Sequence, residues 1–255
     1  MADIREAVIV EALRSPVGKN RGMLKDWRPD DLIGYIMRSL VDKTQINPHQ
    51  IDDVIIGCVT QTNEQGLCIA RLAVLTARLP VSIPGVTVQR HCSSGHQSLH
   101  FAAQGIMAGV KDLVIAGGVE SMTRVPLLSD GAEISEKITR YHYIIPQGVS
   151  AELVAERWRL TREEVDEFSL RSHKNAARAT MEGRFKNEIV PVPVSGDELF
   201  TIDEGIRFDP KTGKLTTSME KLAKLKPAFK KDGGLITAGN SSQISDGAAA
   251  MLVCS

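Results

Sequence analysis

Cys92 is the residue whose position points most directly to chemistry. It follows a short β-branched segment, residues 86–88, and precedes apolar residues at helical spacing from about Ser94 onward. A thiol on such a strand-to-helix turn meets unpaired backbone N–H groups and the positive end of the helix dipole, which favour the reactive thiolate. The same N–H groups could hold an oxyanion formed when the sulfur attacks a carbonyl. The turn therefore predicts a nucleophilic cysteine.

The other three cysteines stand in different surroundings. Cys58 and Cys254 lie in apolar runs, which predicts buried, unreactive side chains, whereas Cys68 opens a helical pattern and its role is left open. The four thiols show no framework spacing, which is typical of free cysteines in a reducing compartment. We therefore predict a cytoplasmic protein and leave an organelle matrix open.

A metal site is the alternative for the same segment. If residues 92–100 formed one helix, Cys92, His96 and His100 would line one face and could bind a metal ion. Gly95 and the end of the strand favour a helix that begins after Cys92. We therefore predict no metal site.

The first half of the chain alternates strand-like and helix-like segments. The predicted strands are residues 7–11, 54–59, 86–90 and 112–117, and the predicted helices begin at Pro29 and span 69–79 and 94–109. Continuous apolar strands separated by amphipathic helices indicate an α/β fold with a parallel sheet covered on both faces. Ligands of such sheets bind at the carboxyl ends of strands, where Cys92 falls.

The pattern changes from about residue 122. Residues 123–149 are irregular, and the capping box at Thr161 and Glu164 opens a long helix. Its expected buried face carries Val165, Phe168, Ser172, Ala176 and Ala179. We predict an inserted α+β domain over residues 122–239 and a core of residues 1–121 plus 240–255. Residues 248–255 fit a helix start or a core strand, and we expect further chain or a partner to cover them.

Charge and hydropathy exclude two classes of protein. The chain has 31 Lys and Arg residues against 31 Asp and Glu residues, which argues against nucleic-acid binding. No apolar run approaches the roughly 20 residues that a membrane-spanning helix needs. We predict no membrane span.

Six separated segments resemble, in order, the motifs of the thiolases, the acyl-CoA:acetyl-CoA C-acyltransferases. They are residues 11–19 (EALRSPVGK), 92–95 (CSSG), 116–122 (AGGVESM), 148–152 (GVSAE), 225–229 (LKPAF) and 239–250 (GNSSQISDGAAA). Together they extend over nearly the whole chain. The resemblance implies a layered βαβαβαββ core with an inserted α+β loop domain that holds coenzyme A.

The resemblance covers only the first of the two similar halves of a thiolase. In the family, the second half supplies a Gly-His-Pro histidine that activates the nucleophile and a second cysteine that acts as general acid and base. Neither motif occurs in this sequence. The resemblance therefore implies a carboxy-terminal half as partner, in cis or in trans, a homo-oligomer when complete, and an inactive isolated chain.

The resemblance also implies a reaction and its substrates. Cys92 would form an acyl-thioester during thiolytic cleavage of a 3-ketoacyl-CoA, or during the reverse condensation, with coenzyme A as substrate. Arg207 matches the family arginine near the nucleotide, and Ser242 matches the serine near the pantetheine arm. Lys221 replaces a serine that contacts coenzyme A in some relatives. Pro146-Gln147 replaces the His-Met of biosynthetic thiolases, which leaves acyl-chain length and direction open.

A non-catalytic function is the alternative of a different class. A chain that keeps half of the thiolase fold could serve as an acyl-CoA-binding or assembly module. The missing second half favours that hypothesis, whereas the intact motif around Cys92 favours an enzyme.

Overall fold

The computed structural model describes residues 5–131 and 133–255. These residues form two compact units. The sheet unit comprises the described residues up to Gly131 together with residues 186–204 and 244–255, and the helical unit comprises residues 133–185 and 205–243.

The sheet unit contains one large mixed sheet. The elements of the unit are β1 (Val8–Arg14), β2 (Gly18–Lys19), α1 (Pro29–Thr44), β3 (Asp53–Gly57), α2 (Ile69–Thr76), β4 (Gly85–Val88), α3 (Ser94–Met107), β5 (Leu113–Ser121), β6 (Val192–Pro193), β7 (Leu199–Phe200) and β8 (Ser245–Cys254). Strands β6 and β7 pair with each other in a separate two-stranded sheet. The strand order is β1-β8-β5-β3-β4, with β2 also paired to β8. Strands β3, β4 and β5 are parallel, which confirms the α/β fold.

The prediction of a wholly parallel sheet is wrong at one side. Strand β8 runs antiparallel to both of its neighbours, β1 and β5. The final segment of the sequence enters the sheet from the opposite end and is inserted between these two strands. Of the two interpretations of residues 248–255, the core strand is therefore confirmed.

Alternate residues of the central strands pack on opposite faces of the sheet. Ile56 and Ile115 contact the apolar core that includes α1 and α2. Ile55 and Val114 belong to a second cluster, which contains Ile106 of α3. This alternation follows from the two-residue period of a β-strand, and it covers the sheet with helices on both faces.

The compact units differ from the predicted domains at three segments. Residues 122–131 and 186–204 belong with the sheet, because Val125 and Val192 are buried and the Arg14 N–H donates to the Glu188 carbonyl at 2.8 Å. Residues 240–243 belong instead with the helical unit, where the Gln243 side chain donates to the Gly205 carbonyl at 2.7 Å. The inserted segment thus contributes to both units.

The helical unit contains four helices: α4 (Glu136–Thr139), α5 (Gln147–Arg157), α6 (Arg162–Met181) and α7 (Met219–Ala223). The predicted capping box at the start of α6 is present. The predicted buried face of α6 is wrong, because Phe168 is 64% exposed and Asp166 only 1% exposed. Asp166 is buried because Arg162 and Asn240 satisfy its two oxygens. Within the described residues, no helix is long and apolar enough to cross a membrane.

Candidate active site and ligand cavity

Cys92 lies on a tight turn between β4 and α3. Residue His91 adopts a left-handed backbone conformation, with φ of 46°. The Ser94 hydroxyl accepts the Arg90 N–H at 2.9 Å and donates to the His91 carbonyl at 2.6 Å. The turn is therefore fixed by one buried serine at the first position of α3, and the Cys92 side chain is exposed.

The turn uses some of the N–H groups that we expected to be free. The Ser93 N–H donates to the Arg90 carbonyl at 3.1 Å, and the Ser94 N–H donates to the His91 carbonyl at 3.0 Å. These two donors are occupied and are therefore not free to hold an oxyanion. The bonds form because the chain reverses direction within the residues between Val88 and Ser94.

Glycines let the start of α3 approach the sheet. A Cβ on Gly57, at the end of β3, would lie 2.2 Å from the Gly95 nitrogen. A Cβ on Gly118, in β5, would lie 3.2 Å from the Gly95 Cα. Residues with side chains would push α3 outward, so these glycines fix the height of Cys92 above the strand ends.

Cys92 borders a cavity of about 420 Å³ within the sheet unit. Apolar side chains contribute much of its lining: Val17, Val59, Val119, Met122 and Leu127. Cys58 also lines the cavity, but burial, followed by the charge of Glu120, raises the pKa of its thiol to about 12. Two thiols thus line one cavity. Cys92 is exposed and lies on the turn, whereas Cys58 is only 1% exposed.

Glu120 is a site residue to which the sequence reasoning assigned no role. Its carboxylate accepts the Val59 N–H at 2.9 Å and the Thr60 N–H at 3.3 Å. The Gln65 side chain donates to it at 2.7 Å. Glu120 therefore holds the loop after β3 that forms one wall of the cavity. Its place in the AGGVESM segment was the available sign.

The two histidines of α3 do not form a metal set with Cys92. The helix begins at Ser94, so Cys92 lies outside it. The rings of His96 and His100 pack in a tilted arrangement, with centroids 4.4 Å apart. Among the described residues, no group of three or more His, Cys, Asp or Glu side chains is arranged to hold a metal ion.

A second cavity, of about 350 Å³, lies within the helical unit. Its lining is rich in hydrogen-bonding and cationic side chains: His173, Arg207, Thr216, Lys221, Ser241 and Gln243. Leu222 and Leu225 add an apolar wall. A cavity with two cationic side chains and an apolar side suits a ligand that joins phosphates to a hydrophobic group.

The structure places the two predicted ligand residues differently with respect to this cavity. Arg207 lines it, and its carbonyl accepts the Thr216 N–H at 2.8 Å. Ser242 is exposed, and its hydroxyl donates to the Gln243 carbonyl at 3.4 Å. Its two neighbours, Ser241 and Gln243, line the cavity. Ser242 therefore lies beside the cavity wall.

Lys221 and His173 were not predicted as site residues. The Lys221 Nζ donates to the Thr216 carbonyl at 2.9 Å, which joins α7 to the segment opposite Arg207. His173 Nδ1 accepts the Arg207 N–H at 3.3 Å. The spacing of Asp166, His173 and Ala177 along α6 places them on one helix face. That spacing was the only sign in the sequence of a role for His173.

An ion pair with a buried carboxylate and a partly exposed arginine connects the walls of the second cavity. The Arg162 Nε donates to Asp166 at 2.7 Å, and the other guanidinium end donates to the Leu222 and Leu225 carbonyls at 2.6 and 3.0 Å. The Asn240 side chain donates to Asp166 at 2.8 Å. The network thus attaches α7 and the turn around residue 240 to α6.

Fold and site together define a class of protein: a mixed α/β layered domain that presents an exposed cysteine on a strand-to-helix turn above the carboxyl ends of parallel strands. The comparisons with known proteins narrow this class. The family model described as "Thiolase, N-terminal domain" matches residues 7–255. The chain belongs to the thiolase family.

Several relatives show the extent of the similarity. The chain is 43% identical to a 3-ketoacyl-CoA thiolase of Bacillus subtilis, over 98% of this chain and 66% of that protein. It is 40% identical to the peroxisomal 3-ketoacyl-CoA thiolase 2 of Arabidopsis thaliana, over 97% of this chain and 55% of that protein. The crystal structure of the Bacillus anthracis acetyl-CoA acetyltransferase superposes with a TM-score of 0.83 at 37% identity, covering 99% of this chain and 66% of that one.

The alignments also show how much of a thiolase the chain contains. It spans between about half and two thirds of the length of these relatives. The match confirms the identification of the family and of its amino-terminal half.

Proposed function

We propose that this chain is the amino-terminal half of an acyl-CoA C-acyltransferase and that Cys92 is its nucleophile. The observation that carries the proposal is the exposed Cys92 on the turn before α3, beside a largely apolar cavity, in a chain of the thiolase family. The relatives named above are thiolases and an acetyltransferase, which supports the same reaction class.

The reaction has two covalent steps. The Cys92 thiolate attacks the 3-keto carbonyl of a 3-ketoacyl-CoA. The bond between C2 and C3 breaks, the acyl group stays on the sulfur, and the released acetyl-CoA carbanion takes a proton. The thiolate of a second coenzyme A then attacks the acyl-thioester, takes the acyl group and frees Cys92. The Cys92 backbone N–H is our candidate for one oxyanion donor.

Coenzyme A is a substrate in this proposal, and no resident cofactor is required. Arg207 would hold the nucleotide in the cavity of the helical unit, because a fixed guanidinium fork suits a phosphate group or stacks on a base. Ser242, next to the cavity wall, would contact the pantetheine arm. Lys221 supplies a second cation in the same cavity.

The proposal includes a partner and a location. The histidine and second cysteine that complete the family's reaction would come from a carboxy-terminal half, in cis or in trans, and the complete protein would be a homo-oligomer. We place the protein in the cytoplasm or in an organelle matrix. We expect the isolated chain to lack turnover of 3-ketoacyl-CoA, and cleavage of that substrate by the pure chain would contradict this expectation.

The test is intact-mass analysis after incubation with acetyl-CoA. The wild type should gain the mass of one acetyl group, and the Cys92→Ala variant should gain none. Cys68→Ala is the matched control, because Cys68 is also an exposed thiol and lies outside the cavity. It should be acetylated like the wild type. Acetylation of Cys92→Ala to the same non-zero extent as the wild type would overturn the assignment of Cys92.

A second arm separates the enzyme from the non-catalytic alternative. The same variants are incubated with acetyl-CoA after a carboxy-terminal thiolase half is supplied. Acetylation of Cys92 only in that mixture supports the proposed half-enzyme. No adduct in either arm, together with measurable binding of coenzyme A, would support the acyl-CoA-binding or assembly module and overturn the enzyme.

A further inference from the structure

Two hydrogen bonds hold the backbone of Arg207 in the wall of the cavity of the helical unit. The Arg207 carbonyl accepts the Thr216 N–H at 2.8 Å, and its N–H donates to His173 Nδ1 at 3.3 Å. The first bond is internal to the segment that carries Arg207. The second bond ties that segment to α6, and both Arg207 and His173 line the cavity.

The contact requires one protonation state of His173. A backbone N–H can only donate, so Nδ1 must carry a lone pair and the ring must be neutral, with its proton on Nε2. Burial, followed by the charge of the Arg207 guanidinium, lowers the pKa of His173. Environment and hydrogen bond therefore favour the same neutral form.

The charged groups around His173 are cations. Arg207 and Lys221 line the same cavity, and no Asp or Glu is among the described residues that line it. On α6, the residues three and four positions away are uncharged: Ser169, Leu170, Ala176 and Ala177. Asp166, seven positions earlier, is already paired with Arg162. A second proton on His173 would thus meet two cationic side chains and a backbone donor.

We propose that neutral His173 is a positioning residue that holds Arg207 for coenzyme A, and that protonation of His173 releases this segment and weakens coenzyme A binding. The inference rests on the proposed function, because it takes the ligand of the cavity to be coenzyme A. It adds a residue and a pH dependence that neither the motifs nor the comparisons assign.

The test measures the affinity of the full chain for coenzyme A by calorimetry, under reducing conditions, between about pH 5.5 and pH 8. Three forms are compared. The wild type carries a titratable acceptor at residue 173. His173→Asn keeps an acceptor oxygen at about the place of Nδ1 but cannot be protonated. His173→Leu removes the acceptor while keeping side-chain volume. Thermal melting confirms that each form is folded.

We expect wild-type affinity to fall on acidification by roughly 3- to 10-fold more than that of His173→Asn, which is the effect of one hydrogen bond. The comparison with His173→Asn removes the ligand's own phosphate titration, because both proteins meet the same ligand. His173→Leu should bind about as weakly at pH 8 as the wild type does when acidified. Rescue by asparagine but not by leucine identifies a hydrogen-bond acceptor rather than a packing role.

Each other outcome has a distinct meaning. Identical pH slopes in wild type and His173→Asn, or tighter wild-type binding at low pH, would overturn the positioning role and leave the proposed function in place. Equal affinity of His173→Leu and wild type at pH 8 would do the same. No binding of coenzyme A by the wild type at any pH would overturn the proposed ligand site itself.

Discussion

The two units of the molecule are stabilised by different means. The sheet unit has an extensive apolar core, which includes Ile36, Ile56 and Ile115, all 0% exposed. The sheet unit also buries Asp30 and Asp246, but the described residues of the helical unit include few buried apolar side chains, and buried carboxylates join its segments. Glu152 accepts the Leu235 and Ile236 N–H groups at 2.9 Å, and Asp166 is paired with Arg162. A large sheet can bury many side chains against helices, whereas short helices and irregular segments need polar contacts to backbone groups.

The difference matches the chemistry of the two cavities. The cavity beside Cys92 is lined largely by apolar side chains on rigid strand ends, which suits an acyl group and a reacting carbonyl. The cavity of the helical unit is lined by His173, Arg207 and Lys221, which suit a polar, charged ligand. The cavity with the more apolar lining thus lies in the unit with the apolar core, and the cavity with the more polar lining lies in the helical unit.

The largest expected effect comes from removing the buried carboxylate of the helical unit. Asp166→Ala should lower the free energy of unfolding of this unit by about 3 to 5 kcal/mol, because Arg162 and Asn240 lose their partner in a buried site. Hydrogen exchange read by mass spectrometry should show faster exchange in α6 and α7. Strands β3 and β5 should keep their protection.

The control for this variant is Glu167→Ala, the next residue of α6, whose side chain is exposed. It should change the free energy of unfolding by less than about 0.5 kcal/mol. If both variants had the same effect, the contrast between a polar and an apolar core would fail.

The next effect concerns the apolar core. Ile36→Ala, at a fully buried position of α1, should cost about 2 to 4 kcal/mol of unfolding free energy because it leaves a cavity between helix and sheet. Exchange should now accelerate in α1, β5 and β8. Arg38→Ala, at an exposed position on the same helix, is the matched control and should have little effect. Equal acceleration in both units would show that they unfold together.

The smallest expected effect is a difference in the pH at which His173 in the helical unit and Glu64 in the sheet unit lose their contributions to stability. The pKa of His173 is lowered from 6.5 in the folded protein, so the stability it contributes is present above pH 6.5 and is lost as the pH falls through its folded pKa. The hydrogen bond from Arg124, more than any other factor, lowers the pKa of Glu64 in the sheet unit from 4.5. Its contribution is therefore lost only at more acidic pH.

In an acid titration, the amide resonance of Arg207, whose N–H donates to His173, should thus change at a higher pH than the amide resonances of the residues beside Glu64. The His173→Asn variant, which cannot take up the proton, should remove the early step and leave the later one. A change at the amides beside Glu64 before the change at Arg207 would contradict this order.

Much of the sheet unit could be predicted from the sequence. The strands and helices around Cys92 fall close to their predicted bounds because buried apolar residues repeat with a strand or helix period. The interpretation of Cys58 as buried is also confirmed. The capping box of α6 is local chemistry, so it too could be predicted from neighbouring residues alone.

The helical unit could be predicted less well from the sequence. The apolar spacing around Phe168 pointed to the wrong face of α6, because the buried face carries Asp166 and His173, whose partners are distant in the chain. Residues 186–204 looked like part of the insertion, but Val192 and Phe200 pack into the core of the sheet unit. Polar pairing across long sequence separations leaves no periodic pattern to detect.

The sequence by itself determined the family, the α/β core and the turn that carries Cys92, since each depends on motifs or on periods within a short stretch. Tertiary structure alone decided the antiparallel insertion of β8, the occupation of the Ser93 and Ser94 N–H groups, and the attachment of Arg207 to His173. The physical reason is the range of the interactions. The spacing of buried residues can be seen within the sequence of a single helix or strand. Hydrogen bonds between elements, by contrast, form only when the chain has folded.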